Sequence, residues 1–173
     1  MKNKDKDKNK NHRANASQFF VAGELCRRKL VAVVTMGNCP NTDILCSNKE
    51  GTKFMHIQVK TFRPGDKTCS VGLKSMKNYG DNFFWVLGGI PQSVNQELTE
   101  QYKNFKYFII SAKEMSKNVS ESYKIWLKTP GRNGRIHKEN KMITISLPPR
   151  KNINGWQLDN YLNRWDLIEK KLK

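Results

Sequence analysis

The sequence predicts an α/β domain in which a mixed central sheet is flanked by helices. Short apolar runs rich in β-branched residues alternate along the chain with stretches in which apolar residues recur at helical spacing. The length of 173 residues suits a single domain with its own hydrophobic core. No apolar run reaches the roughly 20 residues that a membrane-spanning helix needs, so we expect no membrane partner.

The first 12 residues are rich in Lys, Asn and Asp and almost free of apolar side chains. Such a composition does not offset the entropy lost on ordering, so we expect residues 1–12 to form a disordered basic tail. The remaining residues, 13–173, are expected to form one domain. No apolar stretch of a signal peptide follows the Lys-rich start, which favours a cytoplasmic protein.

The first half of the domain is expected to contain a helix and three strands. Apolar residues recur at helical spacing from Ala16 to Cys26, and basic residues follow at the negative end of that helix. Residues 31–37, 42–47 and 53–62 are β-branched or alternating runs, which is typical of strands. Turn-forming Gly, Asn and Pro residues separate these strands.

The second half is expected to contain three strands and two helices. Residues 82–90 and 105–112 are continuous apolar runs, which is typical of strands at the centre of a sheet. Residues 113–128 show helical apolar spacing, residues 142–147 form a short strand ended by two prolines, and residues 155–172 show helical spacing again.

The charge balance points to a polyanionic partner. Lys and Arg total 32 against 15 Asp and Glu, which gives a formal net charge of +17. A positive surface attracts phosphate groups and releases their counterions. We therefore expect a nucleic-acid partner, with DNA favoured over RNA.

A polar constellation lies within residues 38–60. Side chains alternate along a strand, so Gln58 and Lys60 share one face while Val59 points to the other. Asp43 begins the preceding predicted strand, and a tight turn predicts that the two strands pair as a hairpin. An acid would then lie beside a Gln and a Lys. This arrangement can hold a divalent metal and orient water or stabilise phosphate charge.

These residues resemble the PD-(D/E)XK nuclease superfamily. The resemblance is carried by Asp43, by Gln58-Val59-Lys60 and by Glu24 on the preceding helix, and it is strongest over residues 14–62. It implies a restriction-endonuclease-like core and a metal-dependent endonuclease that acts on phosphodiesters, often as a homodimer. It also implies that Asp43, Gln58 and Glu24 bind Mg²⁺ or Mn²⁺ and that Lys60 assists the attack of water, so all four are expected in the active site.

Two features depart from that family pattern. Gln58 occupies the position of the second acid, and an amide oxygen is a weaker ligand for a hard cation than a carboxylate. The proline, Pro40, lies three residues before Asp43 instead of next to it. Two alternatives therefore stay open: a catalytically inactive nucleic-acid-binding protein, or a subunit of a larger DNA-processing or defence complex.

Further basic residues are candidates for contacts with nucleic acid. Arg63, Lys67 and Lys74 follow the strand that carries Lys60, and Arg132 and Arg135 belong to a basic loop rich in glycine. A solvated loop without a partner is the alternative for the last two.

The individual site residues also have structural alternatives. Asp43 could serve only a turn, and Gln58 and Lys60 could be solvent-facing residues of an ordinary strand. Glu24 could simply pair with Arg27 or Arg28 on its own helix.

Overall fold

A computed structural model describes residues 8–90 and 105–173 of the chain, with side chains described from His12 onward. It contains three α-helices, seven strands and three short 3₁₀ segments within these residues. In chain order they are α1 (Lys8–Arg27), β1 (Val31–Val34), β2 (Ile44–Ser47), β3 (Phe54–Phe62), β4 (Thr68–Ser70), the 3₁₀ segment Leu73–Met76, β5 (Phe83–Gly89), β6 (Lys106–Ser111), α2 (Ala112–Lys128), the 3₁₀ segment Arg132–Gly134, β7 (Thr144–Ser146), the 3₁₀ segment Asp159–Tyr161 and α3 (Asp166–Leu172).

The central sheet has five strands in the order β1-β2-β3-β5-β6. Strands β3 and β5 are parallel and the other neighbours are antiparallel, so the sheet is mixed. The predicted α/β class with a mixed sheet and helices is confirmed. The expected central position is correct for β5 but wrong for β6, which ends the sheet. The sequence of β6 resembles that of a central strand because its side chains are buried on both faces of the sheet. Its outer edge is partly covered by a bridge between Phe108 and Leu162.

Two hydrophobic clusters cover the two faces of this sheet. On one face, α1 and α3 pack against alternate residues of the strands, including Ile57 and Val59 of β3. On the other face, α2 and the small two-stranded sheet of β4 and β7 pack against Trp85, Leu87 and their neighbours. The sheet therefore separates an α1/α3 face from an α2 face.

Helix α1 lies very close to strand β5. A Cβ atom placed on Gly88 would lie 2.6 Å from the Oγ of Ser17, which is fully buried. Only a residue without a side chain allows this approach, because real Cβ atoms do not come so near another heavy atom. Gly88 is therefore a point of close approach between α1 and the sheet.

Helix α1 begins at Lys8, inside the segment predicted to be a disordered tail. Once a helix is nucleated and packed, each further residue adds one hydrogen bond for one fixed residue, so the helix extends beyond its apolar part. The preceding residues, 1–7, lie outside the described residues.

The C-terminal helix is shorter than the predicted 155–172. The backbone N–H of Asn163 donates to the carbonyl of Tyr107 over 2.7 Å, and Asn163 has a φ of 53°. This left-handed conformation interrupts a helix, so α3 begins only at Asp166. Strand β4, which the sequence analysis did not predict, has only three residues and pairs with β7, away from the central sheet.

No helix among residues 8–90 and 105–173 is both long enough and apolar enough to cross a membrane.

Candidate active site

The predicted hairpin is formed by β2 and β3. These strands pair antiparallel with Ile44 opposite Ile57, and the N–H of Asp43 donates to the carbonyl of Ile57 over 2.9 Å. Because Ile57 and Val59 pack toward α1, Gln58 and Lys60 point to the α2 face of the sheet. Asp43 reaches Gln58 on that face, so the hairpin brings Asp43, Gln58 and Lys60 together.

The carboxylate of Asp43 is held by two donors from β3. Its Oδ2 accepts hydrogen bonds from the N–H of Val59, at 2.7 Å, and from the Nε2 of Gln58. Its Oδ1 has no hydrogen-bond partner among the residues that the structure describes. One carboxylate oxygen is therefore fixed, and the other is left to accept a ligand.

Opposing influences act on the pKa of Asp43. Burial raises the pKa and outweighs the hydrogen bond from Val59, the charge of Lys60, the hydrogen bond from Gln58 and the charge of Lys74, which all lower it. A partly buried carboxylate with cationic neighbours is typical of a functional site, although structural networks produce it too.

Lys60 and Lys74 supply the positive charge around Asp43. Lys60 lies on the same face of β3 as Gln58, while Lys74 comes from the 3₁₀ segment Leu73–Met76. Neither ammonium forms an ion pair within the described part of the chain. Lys74, which the sequence analysis assigned only to nucleic-acid contact, thus belongs to the surroundings of Asp43. Its approach depends on a loop path that local sequence patterns do not specify.

A histidine of the same face has a local partner. His56, two residues before Gln58 on β3, lies with its Nδ1 3.1 Å from the Oγ1 of Thr42. Thr42 directly precedes Asp43, so this contact fixes the entry of the chain into β2.

Glu24 does not join this group. Its carboxylate pairs with Arg27 at 2.8 Å and Arg28 at 2.9 Å, and Arg28 also pairs with Glu169 of α3 at 2.8 Å. The hydrogen bond from Arg27 is the main reason why the pKa of Glu24 is lowered. Helix α1 packs on the face of Ile57 and Val59, so the sheet separates Glu24 from Asp43. The structure has the alternative arrangement, in which Glu24 pairs on its own helix.

The donor set around Asp43 is sparse for a metal site. No group of three or more His, Cys, Asp or Glu side chains suitable for a metal occurs in the described ranges. Mg²⁺, however, is usually bound by one or two carboxylates together with waters and substrate phosphates. The free Oδ1 of Asp43 and the amide oxygen of Gln58 fit that limited requirement, provided that the Gln58 amide turns its oxygen toward the metal.

Two of the candidate phosphate contacts lie just after β3. Arg63 pairs with Asp66 at 3.3 Å, and Asp66 also accepts from the N–H of Arg63 at 2.7 Å. Lys67 is exposed and lines a cavity with Phe62 and Phe108. Asp66 therefore offsets much of the positive charge of Arg63, whereas Lys67 faces solvent.

The other two lie in the loop after α2. Arg132 and Arg135 are exposed. The ring of His137 stacks on Trp126 with a centroid distance of 4.1 Å, and the N–H of Asn140 donates to the hydroxyl of Tyr123 over 2.8 Å. The loop is therefore fastened to α2 and presents its two arginines to solvent.

Comparisons of the chain with models of protein families, with curated proteins and with solved structures found no match. The resemblance to PD-(D/E)XK nucleases accordingly stays a prediction that rests on the residues of this chain.

Proposed function

We propose that this protein is a metal-dependent nucleic-acid phosphodiester hydrolase of the endonuclease type, related to the PD-(D/E)XK nucleases. The observation that carries the proposal is the placement of Asp43, Gln58 and Lys60 on one face of the hairpin, where the charge of Lys74 also acts on Asp43. An acid with a free oxygen, an amide and two ammonium groups can serve a reaction at a phosphodiester.

Each residue has a distinct task in this proposal. Asp43 would hold Mg²⁺ or Mn²⁺ through Oδ1, with Gln58 adding its amide oxygen, and the bound cation would supply Lewis-acid activation of water and phosphate. Lys60 would stabilise the negative charge that develops on the phosphate or orient the attacking water. Lys74 would attract the phosphodiester to the site. The N–H of Val59 keeps Asp43 aimed in one direction.

A nucleic-acid-binding protein without catalysis is the second candidate, and one contact favours it. The Nε2 of Gln58 donates to Asp43, so the amide presents its donor where a metal would need its oxygen. Asp43 also belongs to no group of three or more His, Cys, Asp or Glu side chains suitable for a metal within the described residues. Such a protein would bind DNA equally well with or without metal, alone or as a subunit of a larger complex.

The decisive experiment is a cleavage assay on supercoiled plasmid, linear duplex and single-stranded DNA and RNA, with Mg²⁺, with Mn²⁺ and with EDTA. We expect metal-dependent cleavage that falls at least about 100-fold in Lys60→Ala, because a charge-stabilising group at the reacting phosphate is lost. Lys53→Ala is the matched control, because Lys53 is an exposed lysine just before the same strand.

The outcomes separate the two candidates. Cleavage that needs metal and fails only in Lys60→Ala supports the hydrolase. Cleavage that is equal in Lys60→Ala and Lys53→Ala excludes the proposed role of Lys60. Binding of nucleic acid that is unchanged by EDTA, with no cleavage of any substrate, supports the binding protein.

A further inference from the structure

Helix α2 carries a row of lysines on its outer side. Four lysines that we call the lysine stripe are all exposed: Lys113, Lys117, Lys124 and Lys128. At 3.6 residues per turn these four positions fall within an arc of about 60°, and they cover about 22 Å of helix length. The buried residues Ala112, Met115 and Val119 lie on the opposite side of α2. The stripe therefore faces away from the sheet.

The acidic residues of α2 are engaged elsewhere. Glu114 accepts a hydrogen bond from the hydroxyl of Tyr161 at 3.0 Å, and Glu121 accepts one from the Nδ2 of Asn154 at 3.1 Å. No lysine of the stripe forms an ion pair with any residue of 8–90 or 105–173. The four stripe lysines therefore outnumber Glu121, the one acidic residue that lines their groove among the described residues, and the stripe keeps a net positive charge.

The lysine stripe is connected to the candidate active site. Ser120 of α2 donates to the carbonyl of Met76 over 3.4 Å, at the end of the 3₁₀ segment that carries Lys74. Met76 and Asn78 line one groove with Lys113, Lys117 and Lys124, and the acidic Glu121 lines it too. Lys77 follows in the chain and lies over the ring of Tyr79. The segment that carries Lys74 therefore borders the groove that the stripe lysines line.

We propose that the lysine stripe, together with Lys74, is a track that holds the phosphate backbone of a DNA duplex leading to Asp43 and Lys60. The inference rests on the nucleic-acid partner of the proposed function, but not on cleavage. Lysine ammonium groups act as point charges on phosphates and carry no base information, so the contact is independent of sequence. No aromatic side chain lies within the stripe, so it offers no surface for stacking unpaired bases.

The length of the stripe fits several phosphates. With one phosphate per 3.4 Å along each strand of a duplex, about 22 Å corresponds to roughly six nucleotides of one strand. Each phosphate that a lysine neutralises releases counterions and steepens the salt dependence of binding. The slope of log K against log salt concentration changes by about 0.9 for each such contact on B-DNA.

The test measures that slope for the full chain, in EDTA, on two DNA duplexes of unrelated sequence. The stripe variant combines Lys113→Gln, Lys117→Gln, Lys124→Gln and Lys128→Gln. The control variant removes the same charge from the α1/α3 face: Arg27→Gln, Arg164→Gln, Lys170→Gln and Lys171→Gln. We expect the slope of the stripe variant to be shallower by about three to four on both duplexes, and that of the control variant by less than about one.

Charge and folding are controlled separately. Replacing the four stripe lysines with arginine keeps the charge, so we expect the native slope. Each single Lys→Gln variant should make the slope shallower by about 0.9, which provides a test that does not depend on the stability of the fourfold variant.

Several results would overturn the track: equal slope changes in the stripe and control variants, an unchanged slope in the stripe variant, or no salt-dependent binding of duplex by the native chain. A stripe effect without any metal-dependent cleavage would support the track while the proposed hydrolase fails. Cleavage that depends on Lys60, with no effect of the stripe on the slope, would support the hydrolase and exclude the track.

Discussion

The two faces of the central sheet differ in whether their Lys and Arg side chains form ion pairs. On the α1/α3 face, Arg28 pairs with both Glu24 and Glu169, and Asp166 pairs with Arg164 at 2.7 Å and with Lys170 at 3.1 Å. On the α2 face, Lys60, Lys74 and the lysine stripe form no ion pairs with described residues. Four cations of the first face are therefore paired with acids, whereas the named lysines of the second face are not.

This difference indicates which face of the described structure carries a row of unpaired positive charges. A charge of +17 predicts a polyanionic partner but says nothing about where the partner binds. Exposed ion pairs contribute little to stability, so the pairing on the α1/α3 face affects mainly the charge of that face. Under the proposed function, the α2 face, with Asp43 at its edge, would attract the nucleic acid.

The largest expected effect concerns Asp43. Under the proposed function, Asp43→Asn lowers cleavage at least about 100-fold, because Lewis-acid assistance is worth several kcal/mol and its carboxylate ligand is lost. Cleavage of plasmid with Mg²⁺ is the measurement. Cleavage near the native level would exclude Asp43 as a metal ligand.

The same substitution tests the pKa of Asp43. Because burial raises this pKa in the folded protein, the ionised form is disfavoured by folding. The stability of the native chain relative to Asp43→Asn is then greatest below the ordinary pKa of Asp, and it declines as the pH rises through the raised folded pKa. Urea unfolding of both proteins between about pH 3 and pH 8 measures this difference. A difference that grows with pH would contradict the direction of the shift.

The next effect concerns the α1/α3 face, where α1 packs against β5. In Gly88→Ala, the new Cβ would clash with the buried Oγ of Ser17, which would have to rotate or move with α1, so we expect a loss of about 1–3 kcal/mol in the free energy of unfolding. Gly23→Ala in the same helix is the control, because nothing lies within 4 Å of its added Cβ. We expect that variant to be stabilised by up to about 1 kcal/mol.

Thermal or urea unfolding distinguishes the two glycines. Equal stability of Gly88→Ala and Gly23→Ala would contradict this expectation and would show that the contact with Ser17 is relieved at no cost. Salt-dependent DNA binding by the folded fraction of Gly88→Ala should stay native, because the α2 face is unchanged.

The sequence was most informative where one local pattern decides the structure. Alternation along β3 correctly placed Gln58 and Lys60 on one face, and the turn before β3 correctly predicted the hairpin with Asp43. The strands of the central sheet were also predicted to within a few residues, because their apolar runs are short and bounded by turn residues.

Relations between distant segments were the part that the sequence could not supply. Which face α1 covers depends on its packing against strands that are distant in the sequence, so the separation of Glu24 from Asp43 has no signal in the spacing of either residue. The approach of Lys74 to Asp43 depends on the loop around it. The lysine stripe does have a local signal, since its spacing of four, seven and four residues is helical.

The smallest expected effect is that of Glu24→Gln. This variant tests the comparison at the residue that the sequence analysis had assigned to the active site. Glutamine keeps a hydrogen bond to Arg27 or Arg28 but loses the charge, so we expect a loss of less than about 1 kcal/mol at neutral pH. Because the pKa of Glu24 is lowered, the stabilisation by its ion pairs is present above the ordinary pKa of Glu and is lost as the pH falls through the lowered folded pKa. Metal-dependent cleavage should be unchanged in this variant. A loss of cleavage as large as that of Lys60→Ala, with normal stability, would contradict this expectation. It would show that Glu24 acts in the active site, which requires a movement of α1.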